Sequence, residues 1–426
     1  MDFKSLFKQG VGTLVLRVIG AGLTFISVLF FARVLGVADF GLFSLGLVII
    51  TVISVFTRLG LDNVVLKQVS SHAIGEKKIA NGYIYTVSKI VVIIGLVVSV
   101  LLWFFAEPIS SQIFNKSDLT NVLKYFSLVI IPMSLVVIWS EVHIAIGKPQ
   151  FSAFIQAVVP PSLTLIIVLY LWSVETVSLS QLIISVAIGF LISLFIYLFS
   201  LRLNLTSDKS TISYRSTIKQ GLPMLMISSG ALVMAWSDII ILGIYASSED
   251  VGVYAAASRT VMVTALILIA VNAVTAPKYA RFYKDGDYTS IAKLAQASSI
   301  VLLLLVLIPT LILVFFSEWI MSWFGHDYTV GATVLIILAF GQFVNVACGS
   351  VGYLLTMTGR EKKLRNIFVA AATLNIALSV LSVKYFGVIG VAYSTAFSVM
   401  FWNVWAMIEV RKHLGFWSIN FNFRSY

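Results

Sequence analysis

Charged residues are scarce in this sequence. Asp, Glu, Lys and Arg make up 11% of the 426 residues, whereas hydrophobic residues make up 59%. An ordinary soluble domain is about 25% charged. A packed soluble core cannot absorb this apolar excess but a lipid bilayer can, so the composition predicts an integral membrane protein.

Motifs that carry catalysis are also missing. The single cysteine, Cys348, lies in an apolar run, which excludes a disulfide within the chain and a cysteine metal cluster. The four histidines are scattered, and no glycine-rich loop is followed by Lys and then Ser or Thr. The sequence therefore predicts no enzyme, no metal site and no cofactor. Any transport must draw on an ion gradient, the membrane potential or the supply of substrate.

Long apolar runs are what the chain has instead. A membrane-spanning helix needs about 20 mostly apolar residues, and twelve runs meet this requirement. They are residues 11–35, 40–59, 83–106, 121–146, 151–172, 178–201, 218–246, 251–276, 296–316, 328–356, 366–384 and 387–410. The connections between them are short, so we expect no soluble domain.

The basic residues are distributed unevenly between the two sides of the predicted membrane. Of the 29 Lys and Arg residues, 22 fall on one side, four on the other and three within spans. Lys and Arg concentrate on the cytoplasmic side of membrane proteins, so both termini are predicted to be cytoplasmic. The net charge of +11 is explained by this asymmetry, and no nucleic-acid partner is needed.

The two halves of the chain resemble each other. Residues 8–10 (KQG) recur at 219–221, and residues 39–43 (DFGLF) resemble 250–254 (DVGVY), both at an offset of 211. We interpret this as two homologous six-helix halves, 1–210 and 211–426. Because six is even, both halves start on the same side, which gives a parallel repeat. Two such bundles around a central cavity are typical of alternating access, and a duplicated static scaffold is the alternative.

Polar residues share one face of span 1. Thr24 and Ser27 follow Arg17 at helical spacing. Small residues often line helix contacts in lipid, so helix packing is the favoured explanation of Thr24 and Ser27, and a polar cavity is the alternative. Packing does not require the charge of Arg17.

Asp238 in span 7 and Arg259 in span 8 are predicted to lie at similar depths on neighbouring helices. A bare charge there costs at least ~2.5–3.5 kcal/mol on insertion scales. Either the two residues form a structural ion pair, or Arg259 binds an anion while Asp238 orients it or titrates. Trp236, beside Asp238, is a candidate for stacking on a sugar.

The remaining intramembrane candidates lie in spans 2 to 4. Arg58 ends span 2 and Lys89 lies in span 3. Glu141 and His143 lie near the inner end of span 4, where they are either interfacial or carriers of a coupling proton.

Two segments resemble a known family. Residues 31–44 (FARVLGVADFGLFS) are similar to the first hairpin of the polysaccharide-transporter flippases, which belong to the multidrug/oligosaccharidyl-lipid/polysaccharide exporter superfamily. Residues 251–259 (VGVYAAASR) are similar to the matching element of their second half. The resemblance covers essentially the whole chain.

The resemblance implies an all-α integral membrane protein with a V-shaped pair of six-helix bundles around a central cavity. It also implies a flippase that moves undecaprenyl-pyrophosphate-linked oligosaccharide to the outer leaflet of the bacterial inner membrane, as in O-antigen and lipopolysaccharide synthesis. Its partners would be this lipid, membrane lipids and glycan polymerase or ligase proteins.

The expected binding chemistry assigns roles to these charges. Arg17, Arg58, Lys89 and Arg259 are predicted to hold the pyrophosphate, because cations bind phosphate through charge-assisted hydrogen bonds. Asp238, Glu141, His143, Ser27, Thr24 and Trp236 are the polar or coupling candidates. The alternatives are a cation-coupled exporter of small molecules and a non-transporting scaffold for glycan assembly. The drug-exporting branch has acidic residues in its first half, and span 1 here has Arg17 and no acid, which argues against cationic drugs.

Overall fold

The computed structural model describes residues 3–72, 76–200 and 212–419, and side chains in these ranges except those of 3–9 and 226–234. This described part of the chain is helical and contains no strand. It divides into two compact units, Met1–Leu232 and Val233–Tyr426, which meet inside one helix. The division predicted between residues 210 and 211 stays a prediction.

The first unit holds nine helices and the start of a tenth. Their bounds are α1 Phe3–Leu35, α2 Val37–Arg58, α3 Leu61–His72, α4 Lys77–Pro108, α5 Leu119–Ser127, α6 Ile130–Ala145, α7 Pro149–Ala153, α8 Val159–Val174, α9 Leu179–Ser200 and α10 Tyr214–Tyr245. Single π-helical turns, Ile109–Ile113 and Phe154–Val158, extend α4 and join α7 to α8. The core packs α3, α4, α6 and α9 together around residues such as Val87, Val136 and Tyr197.

The second unit begins within α10. It continues with α11 Ser248–Lys284, α12 Tyr288–Phe315, α13 Ser317–Ser322, α14 Ala332–Ala347, α15 Val351–Met357 and α16 Glu361–Leu414, with a 3₁₀ segment, His326–Gly331, before α14. A capping box at Ser247 and Asp250 starts α11 two residues after α10 ends. This tight connection keeps α10 and α11 adjacent.

The helix α16 is a hairpin of two spans. Gly387 has φ 55° and ψ −136°, which is not helical. The hydroxyl oxygens of Ser382 and Ser394 lie 3.0 Å apart, although twelve residues of continuous helix would separate them by about 18 Å. The chain therefore reverses at Gly387, as the predicted boundary between spans 11 and 12 requires.

The predicted all-α, membrane-spanning fold class is confirmed. Nine helices in the described ranges are long and apolar enough to cross a membrane, and the pair α5 and α6, bent by 45°, makes a tenth. The hairpin divides one of the nine, α16, into two spans, and α10 is 32 residues long. Every one of the twelve predicted spans thus corresponds to an observed element.

Two features differ from the simple predicted spans. The short helix α3, between spans 2 and 3, was not predicted. Span 10 is broken at residues 348–350, between α14 and α15, in the region where Gly349 adopts φ +78°. A break inside the membrane is tolerated where neighbouring helices satisfy the freed backbone groups.

Gly60 gives a test of the packing around α3. Its φ is +71°, and a Cβ there would lie 2.4 Å from the carbonyl oxygen of Gly221. Gly36 has a similar φ, +78°, but nothing lies within 4 Å of its Cβ position. Ala at a left-handed position costs ~1–3 kcal/mol, and overpacking adds about as much again. We expect Gly60→Ala to lower the melting temperature in detergent clearly more than Gly36→Ala. Equal losses would mean that α2 and α10 do not approach this closely.

Candidate functional site

A buried carboxylate organises the second unit. Asp238 on α10 is 6% exposed. Its Oδ1 accepts a hydrogen bond of 2.7 Å from Asn375 Nδ2, and its Oδ2 accepts one of 2.8 Å from the Tyr254 hydroxyl. Both donors are uncharged, and among the described residues no cation lies within 4.0 Å of the carboxylate. A buried charge without a countercharge is costly, and the two hydrogen bonds to the carboxylate offset part of that cost.

The donors to Asp238 are themselves held from several helices. The Tyr254 hydroxyl on α11 lies 3.1 Å from Thr395 Oγ1, on the second limb of the α16 hairpin. Asn375, on the first limb, also donates to Ser237 Oγ at 3.3 Å. The network therefore joins α10, α11 and both limbs of α16.

Arg259 lies on another side of the same helices. Its guanidinium carbon is 4.8 Å from the ring centroid of Trp236. Within the described ranges, Arg259 has this cation–π contact, and no hydrogen bond or ion pair reaches the guanidinium. Its donors are therefore available to a ligand.

The hypothesis that Asp238 and Arg259 form an ion pair is wrong for this structure. At 100° per residue, Trp236 and Asp238 point about 200° apart around α10. Arg259 lies against the ring of Trp236 on one side of α10. Asp238 lies on a different side, where it accepts hydrogen bonds from Tyr254 and Asn375. Similar depth on adjacent helices was not enough to bring the two charges together.

The first unit contains a second group of buried charges. Arg58, the last residue of α2, is 8% exposed and donates from Nη1 to Ser54 Oγ at 2.8 Å. Ser54 Oγ lies 3.1 Å from Ser134 Oγ on α6. Arg58 Nε is buried and has no partner, and the same holds for Oδ1 of Asp62 on α3. Buried polar atoms without a hydrogen-bond partner in the protein are commonly satisfied by water, an ion or a ligand.

Glu141 completes this group. It is half-buried on α6, close enough to Asp62, Arg17 and Arg58 for their charges to act on it. No ion pair within 4.0 Å joins these four residues in the ranges that the structure describes. The structure thus brings three predicted residues together and adds Asp62, whose importance was missed because α3 was not predicted.

The other predicted residues lie in different settings. Thr24 and Ser27 donate to the carbonyls of Gly20 and Leu23 in their own helix, both at 2.8 Å. Such bonds satisfy the hydroxyls locally, as in helix packing. The exposed Lys89 lies 5.6 Å from the ring of Tyr214, the first residue of α10.

His143 is fully buried. Its Nδ1 lies 2.8 Å from the Trp139 carbonyl oxygen, and its Nε2 lies 2.8 Å from Ser200 Oγ. The carbonyl only accepts, so Nδ1 carries a proton and donates to it. The rings of Phe151 and Tyr197 pack against the imidazole. Both nitrogens have partners in this structure. The coupling role, one of the two alternatives for His143, stays a prediction.

Two protein families match this sequence. The family described as "Polysaccharide biosynthesis protein" matches residues 7–282, and the family described as "MatE" matches residues 223–381. The second match covers the Asp238 and Arg259 region, and the first covers the charge group around Arg58 as well.

Relatives among known proteins agree with these matches. The chain is 24% identical over 395 residues to the "Probable low-salt glycan biosynthesis flippase Agl15" of Haloferax volcanii, covering 92% of this chain and 81% of that protein. It is 22% identical over 440 residues to the "Uncharacterized membrane protein MJ1068" of Methanocaldococcus jannaschii, covering 97% and 86%.

Solved structures share the fold. An inward closed conformation of the lipid II flippase MurJ superposes with a TM-score of 0.78 at 16% identity, over 94% of this chain and 87% of that one. An inward-facing multidrug resistance MATE transporter of the MOP superfamily also gives 0.78, at 11% identity, over 95% and 98%. At these identities the likeness concerns the fold alone.

Proposed function

This chain belongs to the family described as "Polysaccharide biosynthesis protein", and we propose that it is a flippase for a polyprenyl-pyrophosphate-linked oligosaccharide. It would move the repeat unit from the inner to the outer leaflet of the cytoplasmic membrane by alternating access of two six-helix halves, 1–210 and 211–426. Both termini would be cytoplasmic, and the membrane would be a bacterial inner membrane. The chain is a multi-pass membrane protein, and its relatives are transporters rather than enzymes by their names.

The observation that carries this proposal is the state of Arg259. Its guanidinium stacks on Trp236 and, among the described residues, meets no acceptor. A guanidinium presents five donors in a planar fork that matches phosphate oxygens. In a medium of low dielectric constant these bonds are strong, because water does not compete for them. The preformed stack fixes the fork before the substrate arrives, and Trp236 offers an aromatic surface beside the phosphate for a sugar.

The first unit supports the same chemistry. Arg58 keeps one unpartnered buried donor, Nε, and Arg17 acts on the same carboxylate, Glu141. We propose that Arg17 and Arg58 bind the anion in the first unit and that Lys89, beside Tyr214, guides it from the inner side. Asp62 and Glu141 compete with the anion for these cations, which favours its release.

Asp238 is our candidate for energy coupling. Its carboxylate has hydrogen bonds but no countercharge in the described parts of the chain, so it is suited to take up a cation or a proton during the cycle. The same feature, with the "MatE" match over residues 223–381, supports the second candidate function, a cation-coupled exporter of small molecules. In that case Arg259 would serve an anionic cargo other than a lipid-linked glycan.

The test is an analysis of lipids in cells that lack this protein. We expect a polyprenyl-linked oligosaccharide to accumulate with its glycan on the cytoplasmic side, and to disappear when the wild-type gene is restored. Leaflet orientation is measured by whether an impermeant glycan-modifying enzyme reaches the glycan in inverted but not in right-side-out vesicles. The accumulated lipid then identifies the sugar.

Two outcomes would contradict the flippase. If no glycolipid accumulates but sensitivity to small toxic compounds rises, the exporter is the better description. If glycolipid accumulates equally on both leaflets, the protein supports glycan assembly without moving the lipid, as a scaffold for polymerase or ligase proteins would.

A further inference from the structure

A basic pocket lies at the ends of α11 and α12, inside the second unit. It has a volume of about 390 Å³. We call it the inner basic pocket, and its lining residues are Lys278, Arg281, Phe282, Ser290, Lys293 and Leu294. Three cations from two helices therefore line one cleft, together with two apolar side chains.

The acids near this pocket do not neutralise it. Arg281 Nε lies 3.8 Å from Asp285 Oδ2, but both side chains are mostly exposed, and an exposed pair of this kind is worth about 0–1 kcal/mol. Asp287 accepts from the Ser290 amide at 2.9 Å as the cap of α12. Its bonds to Ser290 hold the pKa of Asp287 below its usual value, so it stays ionised and acts on Lys293. Three cations against two carboxylates on the rim leave a positive surplus.

The pocket lies at the depth of lipid headgroups. Between residues 251 and 277 of α11 the one charged residue is Arg259. This stretch is longer than the ~20 residues that cross the hydrocarbon core. Lys278 and Arg281 are the first charges after it. On α12, Lys293 is the last charge before an uncharged stretch that runs to residue 317. All three cations therefore border the hydrocarbon on the side that is predicted to be cytoplasmic.

The first unit has a pocket at the corresponding repeat position. It is lined by Glu76, Lys77, Lys78 and Ile79, and the offset of 211 places these residues on 287–290, next to the inner basic pocket. Of these four positions, Ser290 alone lines the inner basic pocket. The cations Lys278, Arg281 and Lys293 correspond to Lys67, Ser70 and Gly82, so the two pockets share a location but not their basic residues. The pocket of the first unit includes a carboxylate in its lining and offers fewer cations.

We propose that the inner basic pocket binds the phosphate-bearing headgroup of an anionic lipid in the cytoplasmic leaflet. Lys278, Arg281 and Lys293 hold the phosphate oxygens through charge-assisted hydrogen bonds, and Phe282 and Leu294 contact the first carbons below it. Basic pockets between helices at this level suit such headgroups. Cytoplasmic segments of membrane proteins are generally basic, which accounts for positive charges on this side. It does not account for three of them lining one cleft together with apolar side chains. The proposal holds whether or not the protein moves a glycolipid.

The test measures lipid retention by the purified full-length protein. The delipidated protein is exposed to equal amounts of phosphatidylglycerol and phosphatidylcholine, and the lipids that remain bound are counted by native mass spectrometry. We expect wild type to retain phosphatidylglycerol preferentially. In Lys278→Gln/Arg281→Gln/Lys293→Gln, retention should fall by about fivefold for each cation removed, the factor that corresponds to ~1 kcal/mol per basic residue at a membrane surface.

A matched control removes three cations from the same unit and the same side of the membrane. Lys362→Gln/Lys363→Gln/Arg365→Gln changes the net charge equally at the start of α16 and should retain phosphatidylglycerol like wild type. Lys278→Arg/Lys293→Arg keeps the pocket charge and should also retain it. Equal losses in both triple variants, or no preference for phosphatidylglycerol in wild type, would overturn the site. Displacement of the lipid by an equivalent amount of inorganic phosphate would overturn its assignment to a lipid, because it would show a site for free phosphate.

Discussion

Arg259→Ala is expected to abolish glycolipid flipping while the protein still folds. The guanidinium stacks on the ring of Trp236 and makes no hydrogen bond or ion pair with the described residues, so its removal breaks no hydrogen-bond network among them. A phosphate group that loses a buried, hydrogen-bonded cation loses about 2–5 kcal/mol or more of binding energy. Flipping should therefore fall at least about thirtyfold, measured as glycolipid that reaches the outer leaflet in cells or proteoliposomes.

Two further variants separate charge from shape at this position. Arg259→Lys keeps the cation but loses the planar fork and much of the stacking on Trp236, so we expect activity between wild type and Arg259→Ala. Arg33→Ala removes an exposed arginine at the C-terminal end of α1, which is predicted to lie on the outer side, and should leave flipping unchanged. A folded Arg259→Ala protein with wild-type flipping would remove Arg259 from the substrate path.

Asp238→Asn is expected to uncouple transport from its ion gradient. Asn has the shape of Asp and can still accept from Asn375 or Tyr254, so the fold should survive. Its amide is neutral, so it can neither take up a proton near neutral pH nor supply the negative charge that binds a metal cation. A coupling free energy of this kind is typically 1–3 kcal/mol, or about 5–150-fold. In proteoliposomes with an imposed proton or sodium gradient, the acceleration that wild type shows should disappear, while flipping without a gradient continues.

Tyr254→Phe is the control for this effect. It removes one hydrogen bond to the carboxylate and leaves the charge. A bond to a charged group contributes about 1.5–3 kcal/mol, so the melting temperature should fall while the response to the gradient remains. If Asp238→Asn responds to the gradient like wild type, the carboxylate is structural and coupling lies elsewhere, with Glu141 and Asp62 as the next residues to test.

Hydropathy predicts most of this fold, because each span must satisfy its own backbone hydrogen bonds and present apolar side chains to lipid or to its neighbours. Local geometry was harder to predict. The bend between α5 and α6, the break before α15 and the helix α3 are set by packing against neighbours. Glycine gives a local signal at two places: Gly387 lies between two apolar runs, and Gly349 lies at the break before α15.

The site was predicted unevenly for similar reasons. Helical spacing alone could have shown that Trp236 and Asp238 point in different directions, so that an arginine on Trp236 would not meet Asp238. Asn375 could not have been found this way, since it lies 137 residues from Asp238 in the chain and its position in an apolar span resembles many packing positions. For Thr24 and Ser27 the structure adds what spacing cannot reveal, namely that each hydroxyl bonds to a carbonyl of its own helix.

The turn at Gly387 also constrains how the protein is made. Between residues 366 and 408, the one charged side chain is Lys384, three residues before the turn, and basic residues flank α16 on both ends. No polar loop separates the two apolar limbs. We therefore expect the insertion machinery to place them in the bilayer together, as a hairpin whose turn carries one charge, that of Lys384, across the membrane. A substitution that makes residue 387 helical would join the two limbs into one straight helix of 54 residues, far longer than the bilayer is thick. We expect its defect to appear during synthesis, as a loss of inserted protein, and not as a lower melting temperature of the protein that is recovered.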